Sequence, residues 1–277
     1  MRHIPARRAA VLKATARKTV LTIPIAIPIA IPIAILVAAG AVLPAGPGVR
    51  AAEVMVAVAG NFLATAQQLE PEFERRTGHD LRLAAGSTGS LYAQIASGAP
   101  YHVFLAADEA RPARAVEQGH AVADSVFVYA VGTLILWIAD PAGPPGPEAL
   151  EGEFHHLAIA NPRTAPYGAA AQEVLTAMER WEPLQGRIAR TQSVAGAWSA
   201  VASGAADLGF VALSSVLTND AREGRYWEPP QALYTPLRQA AVLLTRGADN
   251  PGAAAFLEFI RSDDARAVIR RAGYRIP

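Results

Sequence analysis

The sequence predicts an α/β protein of two lobes, each a mostly parallel sheet flanked by helices. Three observations predict it. Apolar strand-like runs alternate with helix-period stripes along the chain, the pattern of parallel sheets with crossover helices. Short polar turns built from Gly, Ser, Thr and Asn stand where strands hand over to helices, and ligands of open α/β sheets gather at those carboxyl ends. The alternation also restarts near residue 130, giving two runs within roughly 225 residues, more than one small lobe needs.

Taken in order, Val54-Met55-Val56-Ala57-Val58 is the first strand, and a helix follows from Phe62 to Arg76 with Phe62, Ala66, Leu69 and Phe73 on one stripe. Thr77-Gly78-His79 closes that helix, Leu81-Arg82-Leu83-Ala84 is the second strand, and a helix with Leu91 and Ile95 comes next. Tyr101 to Ala106 is a third strand, Asp108 a cap, and Ala113 to Gln118 a helix. Two strands flank Gly132, Val126 to Val131 and Thr133 to Ile138, before a Pro/Gly loop over 140–147. Leu157 to Ala160 leads through Asn161-Pro162 and Ala165-Pro166-Tyr167-Gly168 into a helix with Val174, Leu175 and Met178. A strand near Ile188 precedes a helix with Val194, Ala197, Trp198 and Val201, then a strand at Leu208 to Val211. The last strand is Ala240 to Leu244, followed by helices marked by Ala254, Leu257 and Phe259 and by Ala265, Val268 and Ile269. The expected domain boundaries put 53–128 and 237–277 in the first lobe and 129–236 in the second.

Two of the polar turns, Ala59-Gly60-Asn61-Phe62 and Gly86-Ser87-Thr88-Gly89-Ser90, each end a strand and open a helix. A helix start leaves N–H groups without intrahelical partners, and the macrodipole adds positive potential there. Asn61, Ser87 and Thr88 add uncharged donors, so two such ends side by side form an anion cradle without a formal charge. A bare N-cap explains either turn taken alone.

The N-terminus stands apart. Residues 1–52 carry seven of the 25 basic residues and none of the 24 acids, with six bases before an uncharged stretch and a small-residue site at Val49-x-Ala51. That order makes a secretory signal peptide over 1–52 and a periplasmic location; the alternative is an uncleaved anchor, against which Pro24, Pro28 and Pro32 argue. Without those residues the chain holds 18 arginines, no lysine and 24 acids, a formal charge of −6 in place of the full chain's +1. A nucleic-acid partner would need the opposite balance. The absence of cysteine excludes disulfides, thiolate metal sites and a Cys nucleophile.

Together with Thr77-Gly78-His79, Val103-Phe104-Leu105-Ala106-Ala107-Asp108, Asn161-Pro162, Ala165-Pro166-Tyr167-Gly168, Ser193-Val194-Ala195-Gly196-Ala197, Leu208-Gly209-Phe210-Val211 and Ala272-Gly273-Tyr274, these turns run in the order found in periplasmic molybdate-binding proteins, which the chain resembles over nearly its whole length after the signal. The resemblance implies a two-lobed type II periplasmic binding protein fold, each lobe a mixed, mostly parallel sheet with the ligand in the interlobe cleft, capture of molybdate and tungstate, and delivery to an ABC transporter permease in the inner membrane, with a monomeric protein and no cofactor. By position it implies oxyanion contacts from Gly60 (backbone), Asn61, Ser87 and Thr88 in the first lobe, and from Tyr167 and the Val194 N–H in the second. Asn61, Thr88, Tyr167 and Val194 would reach the metal only through the oxygens of the anion. Many members carry Ser where Asn61 stands, a small residue at Tyr167, and a Tyr where this chain has Ala212; the Tyr167 hydroxyl is expected to replace that missing one.

Molybdate near neutral pH is an unprotonated dianion that only accepts hydrogen bonds, so a donor-only pocket suits it. Sulfate, phosphate or phosphonate in the same fold is the alternative ligand, and a membrane-anchored oxyanion sensor the alternative role. His155-His156 lacks a third metal ligand at suitable spacing. Ser87, His102 and Asp108 could be assembled into a hydrolase, but the Gly-x-Ser-x-Gly elbow is missing, and no enzyme is expected.

Overall fold

The computed structural model describes residues 51–219 and 224–277. The signal peptide and its alternative as an anchor lie outside the described residues apart from Ala51 and Ala52. Among the described residues no helix is long and apolar enough to cross a membrane.

In the first half, β1 (Glu53–Ala59), α1 (Leu63–Thr77), β2 (Asp80–Gly86), α2 (Thr88–Ala96), β3 (Val103–Leu105), α3 (Ala110–Glu117) and β4 (Phe127–Gly132) follow one another. The second lobe holds β5 (Leu134–Ile138), β6 (Leu157–Ala160), α4 (Pro166–Ala177), β7 (Ile188–Thr191), α5 (Val194–Ala202), β8 (Leu208–Ala212), α6 (Leu213–Thr218) and β9 (Arg225–Trp227). The chain then returns through β10 (Leu237–Leu243), α7 (Pro251–Arg261) and α8 (Asp263–Arg271). Two five-stranded sheets result, ordered β2-β1-β3-β10-β4 and β7-β6-β8-β5-β9. In each, three strands run parallel and the fourth is reversed: β10 is antiparallel to β3 and β4, and β5 to β8 and β9. The predicted α/β architecture is therefore the observed one, with the same strand order built twice.

Phe62, Leu69 and Phe73 of the α1 stripe are buried against the first sheet, where Phe73 meets Phe256 edge to face at 5.2 Å. Burying each such ring contributes about 1.5–3 kcal/mol. A separate core fills the second lobe around Leu134, Ile159, Leu175 and Phe210.

The lobe boundary expected at 128/129 is corrected. β4 stays in the first sheet to Gly132, where it pairs with Leu237 of β10, so the chain crosses at Thr133. Both flanking strands are apolar, and hydropathy carries no mark of the change of sheet. Two short elements, α6 and the edge strand β9, are not predicted by the sequence pattern. Six residues are too few for a helical stripe, and Arg225-Tyr226-Trp227 is largely exposed, without alternation.

Candidate functional site

Four helix starts converge on one small cavity between the lobes. It is lined by Gly60 and Asn61 ahead of α1, Ser87 and Thr88 at α2, Ala165, Pro166 and Tyr167 at α4, and Ser193 and Val194 at α5, with Ala59, Gly86 and Ala107 completing the wall. None of these side chains is charged. Asn61, Ser87, Thr88, Tyr167 and Val194 are between 1% and 6% exposed, so the cleft is closed over them. Across it, the Gly89 N–H of the first lobe donates to Thr164 O of the second at 2.8 Å.

The local sequence explains why donors remain available. Ser87 and Ser193 are N-caps whose hydroxyls accept from Ser90 N at 3.3 Å and Gly196 N at 3.2 Å. Each cap satisfies the third N–H of its helix and leaves the first, that of Thr88 or Val194, unpaired. α1 and α4 start at Phe62 and Ala165, which supply no side-chain cap at all. Among the described residues, the N–H groups of Asn61, Thr88, Tyr167 and Val194 donate to nothing, one from each helix start. The Thr88 hydroxyl accepts from Ala107 N at 3.1 Å, which leaves its proton free as a further donor.

The geometry changes three expected roles. The Gly60 N–H donates to Gly86 O at 2.9 Å, tying the two first-lobe turns together; it is not a free donor. The Asn61 amide nitrogen faces Gln239 Oε1 at 2.8 Å and Tyr274 Oη at 3.1 Å, so in this orientation the backbone N–H is the group Asn61 offers the cavity. Tyr167 lines the cavity, but its hydroxyl lies 3.2 Å from Gln239 Nε2, over the crossing strand, where a Cβ on Gly132 would overlap it.

Below the cavity lies a buried polar layer that no reading of the sequence motifs predicts. Tyr274 Oη donates to Asn61 O at 2.7 Å and Ser214 Oγ to the same oxygen at 3.0 Å, joining C-terminus, α6 and site turn. Phe62, next to Asn61, packs edge-on against Tyr129 at 4.8 Å and Tyr274 at 5.4 Å, which fixes the turn from its other side. Burial raises the Tyr129 and Tyr167 hydroxyls well above the usual tyrosine value and pushes Tyr274 up to about 12, so all three keep their protons. A signal for this layer is present in the chain: Gln239 is the one neutral polar residue in the β10 run, and Tyr274 belongs to the Ala-Gly-Tyr motif.

Nearby charges are committed elsewhere. Asp108 pairs with Arg111 and accepts its N–H at 3.0 Å, and Glu109 pairs with Arg238 at 2.7 Å. These four line a larger interlobe groove of about 360 Å³ that also holds Glu173, an acidic mix unsuited to a free dianion. Asp108 is thus structural. Ser87, His102 and Asp108 do not meet as a hydrolase set: His102 Nδ1 accepts from Met55 N at 3.1 Å, and Ser87 bonds Ser90. His155 and His156 direct their N–H groups to Asp207, whose carboxyl they hold below its usual pKa, and no metal cluster is found among the described residues.

The sequence pattern of the family described as bacterial extracellular solute-binding protein matches residues 54–275. The molybdate-binding protein ModA of Rhodobacter capsulatus is 44% identical over 236 residues, covering 85% of this chain and 91% of its own. ModA of Azotobacter vinelandii is 45% identical over 228 residues, covering 81% and 90%. The solved periplasmic molybdate-binding protein of Azotobacter vinelandii superposes with a TM-score of 0.78 at 42% identity, covering 81% of this chain and 99% of that one.

Proposed function

The chain belongs to the bacterial extracellular solute-binding protein family, and from that premise we propose that it captures molybdate, with tungstate as a second ligand, and delivers it to the permease of an ABC importer. It acts as an exported, monomeric periplasmic protein after loss of residues 1–52, and it carries its ligand unchanged, without catalysis or cofactor. The relatives at 44% and 45% identity carry molybdate in their names and support this ligand.

The observation that carries the reading is the meeting of four helix starts, each with an unpaired N–H, on one small cavity without a charged side chain. Partial positive ends and neutral donors suit a fully deprotonated tetrahedral anion. Hydrogen bonds to a charged acceptor are worth about 1.5–3 kcal/mol each, so several can hold a dianion without an arginine. Phosphate and phosphonates retain a proton near neutral pH and call for an acceptor, which the lining side chains do not supply as a carboxylate. Sulfate shares the charge but is smaller, and a rigid cage of backbone donors fitted to longer metal–oxygen bonds holds it less well.

Calorimetric titration of residues 53–277 with molybdate, tungstate, sulfate and phosphate tests the assignment. Molybdate and tungstate are expected to bind tightly, sulfate weakly and phosphate not at all. Tighter binding of sulfate than of molybdate would overturn it.

A further inference from the structure

Gln239 is absent from the cavity wall yet sits at the centre of the layer beneath it, fully buried on β10. The β10–β4 register shifts between Gln239 and Ala240, an irregularity of the kind that re-aims a side chain beside a site. Its Oε1 lies 2.8 Å from Asn61 Nδ2 and 3.1 Å from Tyr129 Oη, and its Nε2 lies 3.2 Å from Tyr167 Oη. One amide therefore touches the site turn, a strand of the first lobe and the first turn of a second-lobe helix.

We propose that Gln239 is a positioning residue for anion capture: by donating from Nε2 to Asn61 Oδ1 it turns the Asn61 amide nitrogen into the cavity when an oxyanion binds. This rests on the oxyanion reading of the site. Hydrogen-bond accounting leads to it. In the orientation described above, Tyr129 has one proton for two acceptors, Gln239 Oε1 at 3.1 Å and Ala106 O at 3.2 Å. Asn61 Oδ1 accepts no hydrogen bond among the described residues, and as an acceptor it cannot help to hold an anion. Rotating both amides together by half a turn removes both conflicts. Gln239 Nε2 then donates to Asn61 Oδ1 and Tyr129 Oη, Tyr129 donates to Ala106 O, and Tyr167 donates to Gln239 Oε1. Tyr274 turns its proton from Asn61 O, which Ser214 keeps, to Asn61 Oδ1. In this arrangement Asn61 Nδ2 is free to meet an acceptor-only ligand. The anion selects this arrangement because only here does it meet a donor in place of a facing carbonyl.

Gln239→Glu tests the proposal with little change of shape. A carboxylate only accepts, so it holds Asn61 Nδ2 toward residue 239 and leaves Oδ1 facing the anion. Molybdate affinity is expected to fall about 100-fold at about pH 8, since a charge-assisted bond gives way to repulsion between two oxygens. Protonating the buried carboxyl restores a donor, so affinity should recover about tenfold by about pH 6, while the wild type stays nearly flat. The groups facing residue 239 are Tyr129 on β4, Tyr167 on α4, and Tyr274 beside Asn61, all neutral over this range. A loss without pH dependence would mean that Gln239 is merely structural, and wild-type affinity throughout would equally overturn its role. Should the variant not fold, the Asn61 and Gln239 side-chain amide resonances of the wild-type protein decide. Molybdate should shift both sets together, and unmoved resonances in a molybdate-saturated sample would overturn the proposal. Failure of the wild type to bind any of the four oxyanions would instead remove the functional reading and this inference with it.

Discussion

Gly89→Ala is expected to weaken molybdate binding about 10- to 100-fold while leaving the unliganded protein's thermal stability close to wild type. A Cβ at this position would stand 2.8 Å from Thr164 O and 3.0 Å from Thr164 Cα, both backbone atoms of the opposite lobe. Neither can swing aside, so the lobes must part, and the Gly89–Thr164 hydrogen bond is lost. Overpacking of this kind costs about 1–3 kcal/mol, and the cost falls on the closed state alone. Within its own lobe the substitution sits in the first turn of α2, where Ala favours the helix. Calorimetry measures the affinity, and small-angle scattering should show less compaction on adding molybdate than in the wild type. Wild-type affinity would show that closure across Gly89 does not matter for capture.

Val194→Pro carries the second large effect, because it removes a donor at a helix position that accepts proline. Val194 is the first residue of α5, where proline is well tolerated and the lost N–H is one the helix does not use. The preceding Ser193, at φ −144° and ψ 165°, is already in the extended conformation that a following proline requires. Loss of one charge-assisted hydrogen bond of about 1.5–3 kcal/mol weakens binding about 10- to 150-fold. Val194→Ala keeps the N–H and should bind much more like the wild type. Equal affinities for the proline and alanine variants would show that this backbone group does not contact the anion.

The strand–helix alternation, both first-lobe turns and the order of the second-lobe motifs are legible in the sequence, because each depends on short-range periodicity or on turn chemistry. Thr88 and Val194 can be placed at helix starts from their neighbours Ser87 and Ser193 alone. What is not legible depends on which distant elements meet. Gln239 and Tyr274 lie 178 and 213 residues from Asn61, and no local pattern shows that they bond its amide. The Gly60 N–H misleads for the same reason, since its acceptor belongs to the neighbouring strand β2. Tyr167 is the sharpest case. Its position at the start of α4 is readable, but the reach of its side chain to Gln239 over the bare Gly132 backbone depends on how the two crossing segments pair. Side-chain function is therefore harder to read than backbone function here, and the backbone carries most of the site.

If uncharged donors from four helix starts hold a fully deprotonated oxyanion, a crystal structure of the protein with molybdate should show it. The ion is expected in the small cavity, its oxygens within hydrogen-bond reach of the Asn61, Thr88, Tyr167 and Val194 N–H groups, with no arginine touching it. An ion seated instead in the neighbouring groove against Arg111 or Arg238 would refute this mode of capture.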